Sequence, residues 1–286
     1  MERTVCRSRL PGVLALMLGV ALAAIAAPPA GAEEAVTARF RTFDRASRLR
    51  VDHGPFDRLL ADYVVERSDG STLVDYAGFK GEGRARLAAY VAALSKVDTD
   101  ALGRAEQFAF WVNLYNAATL AVVLDHFPVA SIRDIDISPG FADGPWGRKV
   151  VSVAGVELSL DDIEHRILRP IWRDARIHYA VNCASIGCPN LRRRAFRGAG
   201  LDDALDQAAR DYVNSPRGVV VEKGAVAASA LYRWYARDFG ASAKAVLDHI
   251  RRYAGPALRA RLEGKSYVSG YAYDWRLNGV EAERAE

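Results

Sequence analysis

Cysteine is scarce, with three in 286 residues. A chain this long with so few thiols is not a disulfide scaffold and needs an ordinary apolar core. Charge of one sign is also lacking. Without residues 1–32, the chain keeps 36 basic and 34 acidic residues, which excludes a strong nucleic-acid footprint. Beyond the N-terminus no stretch approaches the roughly 20 consecutive apolar residues of a membrane span. Residues 50–280 hold no repeat and no low-complexity linker, so one domain is expected.

The N-terminus has Arg3, Arg7 and Arg9, an apolar run from Val13 to Ala27, and Ala30-Gly31-Ala32. This is the layout of a signal peptide cleaved after Ala32, and it predicts an exported, periplasmic or secreted protein. Cleavage removes Cys6 and leaves Cys183 and Cys188. Residues 33–54 are expected as a polar, loosely attached arm, residues 55–278 as the domain and 279–286 as a tail.

Phe56, Leu59, Leu60, Tyr63 and Val64 recur at helical spacing before the breaker Ser68-Asp69-Gly70-Ser71. Leu87, Tyr90, Val91 and Leu94 predict a second helix, and Arg104 to His126 a third whose all-round apolarity makes it central. Lys149 to Leu158 alternates about Ala154-Gly155 as a β-hairpin would. Ser159 then caps a helix over Leu160–Arg169, with Pro170 near its end. Further helices are expected over 202–213, 231–239 and 243–253, and a closing strand over 266–273. The fold class is α+β, a single helix-rich domain with a small, mainly antiparallel sheet.

Chemistry is expected at His178 to Pro189. Ile177, Tyr179 and Val181 favour a short buried strand, and Asn182, Ser185, Gly187 and Pro189 a turn, which places the Cys183 thiol at a strand end. A thiol nucleophile needs a base and a group that orients the base. His165 and His178 are the candidate imidazoles. An extended segment would separate His178 from Cys183 by roughly 16 Å, so His165 is preferred. Glu164, at the edge of the inward stripe Leu160, Ile163, Ile167 and Ile171, is the candidate orienter. Adjacent helical residues do not face each other unless the helix distorts, which makes Asp161 a rival. Backbone amides after Cys183 are candidate oxyanion donors.

Asn113 and Asn116 share one side of the central helix with Glu106; they either tie down loop backbone near Cys183 or point into a pocket and orient an imidazole or a substrate carbonyl, as further candidate orienters beside Glu164 and Asp161. Trp111, Asn182, Ser185 and His178 complete the candidate binding set. Two other readings of the cysteines stand beside the nucleophile: a Cys183–Cys188 disulfide, or a zinc site for which the paired motif is incomplete. Arg192-Arg193-Arg194 offers positive charge near the turn. Trp234, Tyr235 and Tyr271 to Trp275 are read as core and strand-packing aromatics, and His53, His126 and His249 as structural.

Val74-Asp75-Tyr76, Phe108 to Ala117, Ile163 to Arg169, the cysteine turn, Trp234-Tyr235 with Asp238-Phe239, and Tyr273 to Asn278 occur together. In this combination the chain resembles the domain of unknown function 547 family over roughly residues 55–278. The resemblance implies an exported bacterial protein and a cysteine-peptidase-like site at Glu164, His165 and Cys183. The expected function is a thiol-dependent hydrolase or acyl transferase acting on a small-molecule or peptide substrate, without cofactor, metal or nucleic acid. The alternative is a non-catalytic binding module with a structural Cys183–Cys188 bridge.

Overall fold

The stretch Arg104–His126 forms one continuous helix through the interior. Its apolar residues bury on every side, from Phe108 and Trp111 to Leu124. It is long and apolar enough to cross a membrane by composition, yet almost all of it is enclosed by the rest of the chain.

The computed structural model describes residues 30–140 and 143–280; residues 1–29 of the expected signal peptide lie outside them. In chain order the elements are α1 (Ala30–Arg39), α2 (Gly54–Tyr63), β1 (Val64–Glu66), β2 (Thr72–Val74), α3 (Tyr76–Phe79), α4 (Glu82–Leu94) and α5 (Arg104–His126). Then follow β3 (Lys149–Val153), β4 (Val156–Ser159), a π-helical segment Asp162–Leu168, α6 (Arg169–Trp172), α7 (Ile177–Ala180) and α8 (Leu201–Val213). The chain continues through β5 (Val219–Glu222), β6 (Ala225–Ser229), α9 (Leu231–Trp234), α10 (Ala243–Tyr253), α11 (Pro256–Arg261) and β7 (Gly270–Ala272). Helices hold 47% and strands 13% of the described residues, an α+β balance.

The strands form three small sheets instead of one: antiparallel β1–β2, antiparallel β3–β4, and β5–β6–β7. In the last, β6 pairs antiparallel with β5 and parallel with β7. The β3–β4 hairpin turns at Ala154-Gly155, both at positive φ, as a two-residue primed turn requires. The strands β1, β2, β5 and β6 are three to five residues long, too short for alternation to mark them in the sequence.

Residues 33–47, expected as a loose arm, are docked. Phe40 is fully buried, with its ring 4.8 Å from Trp111 at an edge-on angle, and Arg39 pairs with Asp100 at 3.0 Å. One buried aromatic contributes about 1.5–3 kcal/mol, enough to hold a short helix that polar composition alone would leave free.

Two hydrophobic cores result. The larger surrounds α5, and the smaller packs α8 and α10 against the β5–β7 sheet. The one-turn helix α7 joins them: Ile177 and Ala180 belong to the first and Tyr179 to the second. The expected strand over this stretch is therefore corrected to a helix. An Asx turn on Asp174, whose Oδ1 accepts from Arg176 N at 2.9 Å, starts it, and burial on two sides overrides the extended preference of Ile177 and Tyr179.

Candidate active site

Where the two cores meet, a cavity of about 320 Å³ opens. Tyr115 and Val181 line it from the larger core and Leu231 from the smaller one. Such a junction is a common place for a ligand site. Glu164, His165, His178, Cys183 and Cys188 all face this cavity.

Glu164 and His165 are placed by the π-helical segment. Ser159 and Asp162 begin it reciprocally: Ser159 Oγ accepts from Asp162 N at 3.1 Å, and Asp162 Oδ2 from Ser159 N at 2.7 Å. This is the expected cap with its acidic partner. The segment is then not α-helical, because Pro170 has no N–H for the Arg166 carbonyl and its ring would clash there. The backbone widens so that Arg169 N bonds to Glu164 O, five residues back. Arg166 O accepts instead from the Thr37 hydroxyl of α1 at 2.6 Å.

The distortion brings Glu164 Oε1 to 3.8 Å from His165 Nδ1 and 3.7 Å from His178 Nδ1. Burial first, and then Glu164, push the Tyr115 and Tyr235 phenols up, so both stay protonated beside this carboxylate. Asp161 lies 3.6 Å from His165 Nε2. His165 Nδ1 accepts from Arg169 Nη1 at 3.1 Å, so no carboxylate reaches this ring at hydrogen-bond distance.

His178 is anchored differently. Its Nε2 lies 2.7 Å from Asp238 Oδ2, and its ring stacks on Tyr235 with centroids 4.0 Å apart. Arg169 clamps Asp238 through Nε and Nη2 at 2.6 and 3.2 Å. Burial alone would raise the Asp238 pKa, but the hydrogen bonds from His178 and Arg169 reverse this and hold the carboxyl well below its usual range. An ionised acceptor fixes the proton on Nε2. Nδ1, in a ring only 1% exposed, then has no hydrogen-bond partner.

Cys183 and Cys188 form a disulfide. Cys188 is buried while Cys183 is partly exposed to the cavity. The Cys183 sulfur lies 3.1 Å from the Tyr273 hydroxyl and 3.3 Å from Ser185 Oγ. Two asparagines hold the loop. Asn116 donates to Ala180 O at 3.0 Å and accepts from Asn182 N at 2.8 Å. Asn182 accepts from Ala184 N at 2.9 Å and donates to Pro189 O at 2.7 Å, around an Ala184 at φ 59°. The C-terminal segment closes the loop from outside: Ile186 N donates to Arg276 O and Gly187 N to Asp274 O, both at 2.8 Å, and Asn278 N donates to Ala184 O at 3.1 Å. Gly187 permits this approach, since a Cβ there would lie 2.9 Å from Asp274 N.

The family model described as "Protein of unknown function, DUF547" matches residues 99–213. The match supports the DUF547 family over that stretch. No curated protein and no solved structure gives a match. The matched stretch holds α5, the π-helical segment and the cysteine loop. The walls contributed by Leu231 to Asp238 and by Tyr273 to Trp275 follow it in the chain.

The predicted residues separate into two groups. Glu164, His165, His178 and Cys183 converge on the cavity, and Ser185 is buried against the Cys183 sulfur. Asn113, Asn116, Trp111 and Asn182 are not on its walls. Asn113 clamps Phe196 by donating to its carbonyl at 2.8 Å and accepting from its N–H at 3.0 Å, and Trp111 packs between Phe40 and Phe110. Glu106 ties the backbone N–H groups of Val51 and Gly198. Arg193 and Arg194 line a separate surface hollow with Asp57.

The expected oxyanion donors are occupied: the amides of Ala184, Ile186, Gly187 and Cys188 all bond within the protein. The reason for preferring His165 also falls away, because α7 is helical and both His178 and Cys183 reach the cavity. Asp238 and the aromatic wall of Trp234, Tyr235, Tyr273 and Trp275 were read as packing or left out. Their only signal was co-occurrence in the resemblance motifs, which carries no geometry. Among the described residues no cluster of histidine, cysteine or carboxylate suits a metal ion, so the zinc reading finds no support.

Proposed function

We propose that this is an exported thiol-dependent hydrolase or acyl transferase, with Cys183 as nucleophile and His178 as base. The observation that carries the reading is the His178 ring: Nε2 fixed on Asp238, Nδ1 unpartnered, in a residue that lines the same cavity as Cys183. In the disulfide form Cys183 has no thiol. An external dithiol reduces the bridge, leaving thiols at Cys183 and Cys188 and becoming a disulfide itself. The Cys183 proton then passes to His178 Nδ1, and the thiolate attacks an acyl carbonyl. Tyr273, whose hydroxyl lies at the sulfur and whose pKa is raised by burial, donates to the developing oxyanion. His178 returns its proton to the leaving group, and water or a second nucleophile releases the thioester. The bridge accords with an oxidising compartment, in keeping with the signal-like N-terminus.

The bridge also favours a second reading, a binding module whose loop it staples. Alkylation separates the two. After dithiol treatment, Cys183 is expected to react with iodoacetamide faster than in the reduced, denatured chain. His178→Ala and Asp238→Asn are each expected to slow it by about tenfold or more. A rate no faster than the denatured control, unmoved by either substitution, leaves the binding module.

A further inference from the structure

The cavity carries a charge pattern that acyl transfer does not require. Among the described residues that line it there is no lysine or arginine, but there are three carboxylates, Asp143, Asp161 and Glu164. Cations nearby are engaged elsewhere. Arg133 pairs with Asp143 at 2.5 Å, Arg169 with Asp238, and Lys149 and Arg166 both with Asp162. Asp161 and Glu164 face the cavity with the imidazoles of His165 and His178 3.6–3.8 Å away, and Arg166 and Arg169 act on them while bonding Asp162 and Asp238. Burial, opposed by His165 and Arg166 and reinforced by the carboxylates of Glu164 and Asp162, raises the Asp161 pKa.

An aromatic wall completes the cavity. The rings of Trp234, Tyr273 and Trp275 lie 4.7–5.5 Å apart by centroid. Rings at this site already carry cations: the Arg133 guanidinium sits 5.5 Å over Trp275, and that of Arg169 4.9 Å over Tyr235. His178 Nδ1, buried and without a partner, adds a hydrogen-bond acceptor.

We infer that the cavity binds a primary ammonium group, as on a lysyl side chain, between Asp161 and Glu164 and the Trp234–Tyr273–Trp275 wall. An ammonium has three N–H donors and no acceptor. It meets two carboxylates, a free imidazole nitrogen and the negative faces of the rings. The inference rests on the reading of this cavity as the ligand site, but not on Cys183 acting as a nucleophile.

The test uses the full chain in its disulfide form, titrated by tryptophan fluorescence with Nα-acetyl-L-lysine methylamide and with its norleucine and trimethyllysine analogues. The lysine compound is expected to bind about tenfold or more tighter than norleucine. Trimethyllysine, which keeps the charge but has no N–H donor, falls between them. Asp161→Asn, at a half-exposed side chain, and Trp234→Leu, at a ring 49% exposed, are each expected to weaken lysine binding several-fold, Asp161→Asn without changing that of norleucine. Equal affinity for lysine and norleucine, or indifference to Asp161→Asn, overturns the inference. Lysine binding beside an unreactive Cys183 sinks the nucleophile alone, and a reactive Cys183 without lysine preference sinks the ammonium site alone.

Discussion

Single polar side chains decide most of what is ordered around the cavity, and they do so by bonding backbone. Asn116 spans α7 and the start of the cysteine loop with one amide group, and Asn182 spans the loop itself. A buried amide that satisfies a donor and an acceptor two residues apart fixes a bend that no local propensity would hold. Buried histidines add a pH dependence. His53, bonded to Tyr90 at 2.6 Å, and His249, 2.9 Å from the Tyr179 hydroxyl, are both lowered to about 4 by burial. In the unfolded chain each takes up a proton near pH 6.5, so the folded form, which stays neutral, loses stability as pH falls from about 6.5 towards 4. The loss approaches roughly 1.4 kcal/mol per pH unit per histidine. Urea midpoints measured between pH 7.5 and 4.5 should fall over that window, and a flat profile would refute the assignment.

At the scale of elements, the π-helical segment links the N-terminal helix to the site. Pro170 denies the Arg166 carbonyl its α-helical partner, the backbone widens, and Thr37 of α1 supplies the missing donor. The same widening turns Glu164 and His165 into the cavity together, which regular helical geometry forbids. Thr37→Val is therefore expected to cost about 1–2 kcal/mol, with Thr37→Ser restoring most of it. Thermal unfolding of the three proteins checks this; a valine variant as stable as the original would show that the carbonyl needs no such donor. The hairpins β1–β2 and β5–β6 carry no comparable pattern in the chain. Their strands are too short for alternation to stand out, and they exist because the cores supply their buried faces.

Across the whole molecule, a larger core around α5 and a smaller one around α10 meet at α7, and the cavity is the gap that their packing leaves. The walls come from segments as distant in the chain as Tyr115 and Trp275. Docking of the N-terminal helix belongs to this scale, because Phe40 fills the larger core against Trp111. Phe40→Ala should destabilise the protein by about 3–5 kcal/mol, read from denaturant unfolding. A loss below about 1 kcal/mol would mean that α1 rests on the surface without supporting the core.

The sequence by itself determined the central helix, its flanking helices, the Ala154-Gly155 hairpin and the capped start of the segment bearing Glu164 and His165. Each of these rests on periodicity, turn chemistry or a cap within a few residues. It also singled out Cys183, His165, His178 and Glu164, which the fold brings to one cavity, because those residue types are costly to bury without purpose. Only tertiary structure decided which imidazole has a carboxylate behind it, that Asp238 is that carboxylate, and that four aromatic residues late in the chain form a wall. Those relations depend on distances between segments tens of residues apart in the chain, and local propensity says nothing about such distances.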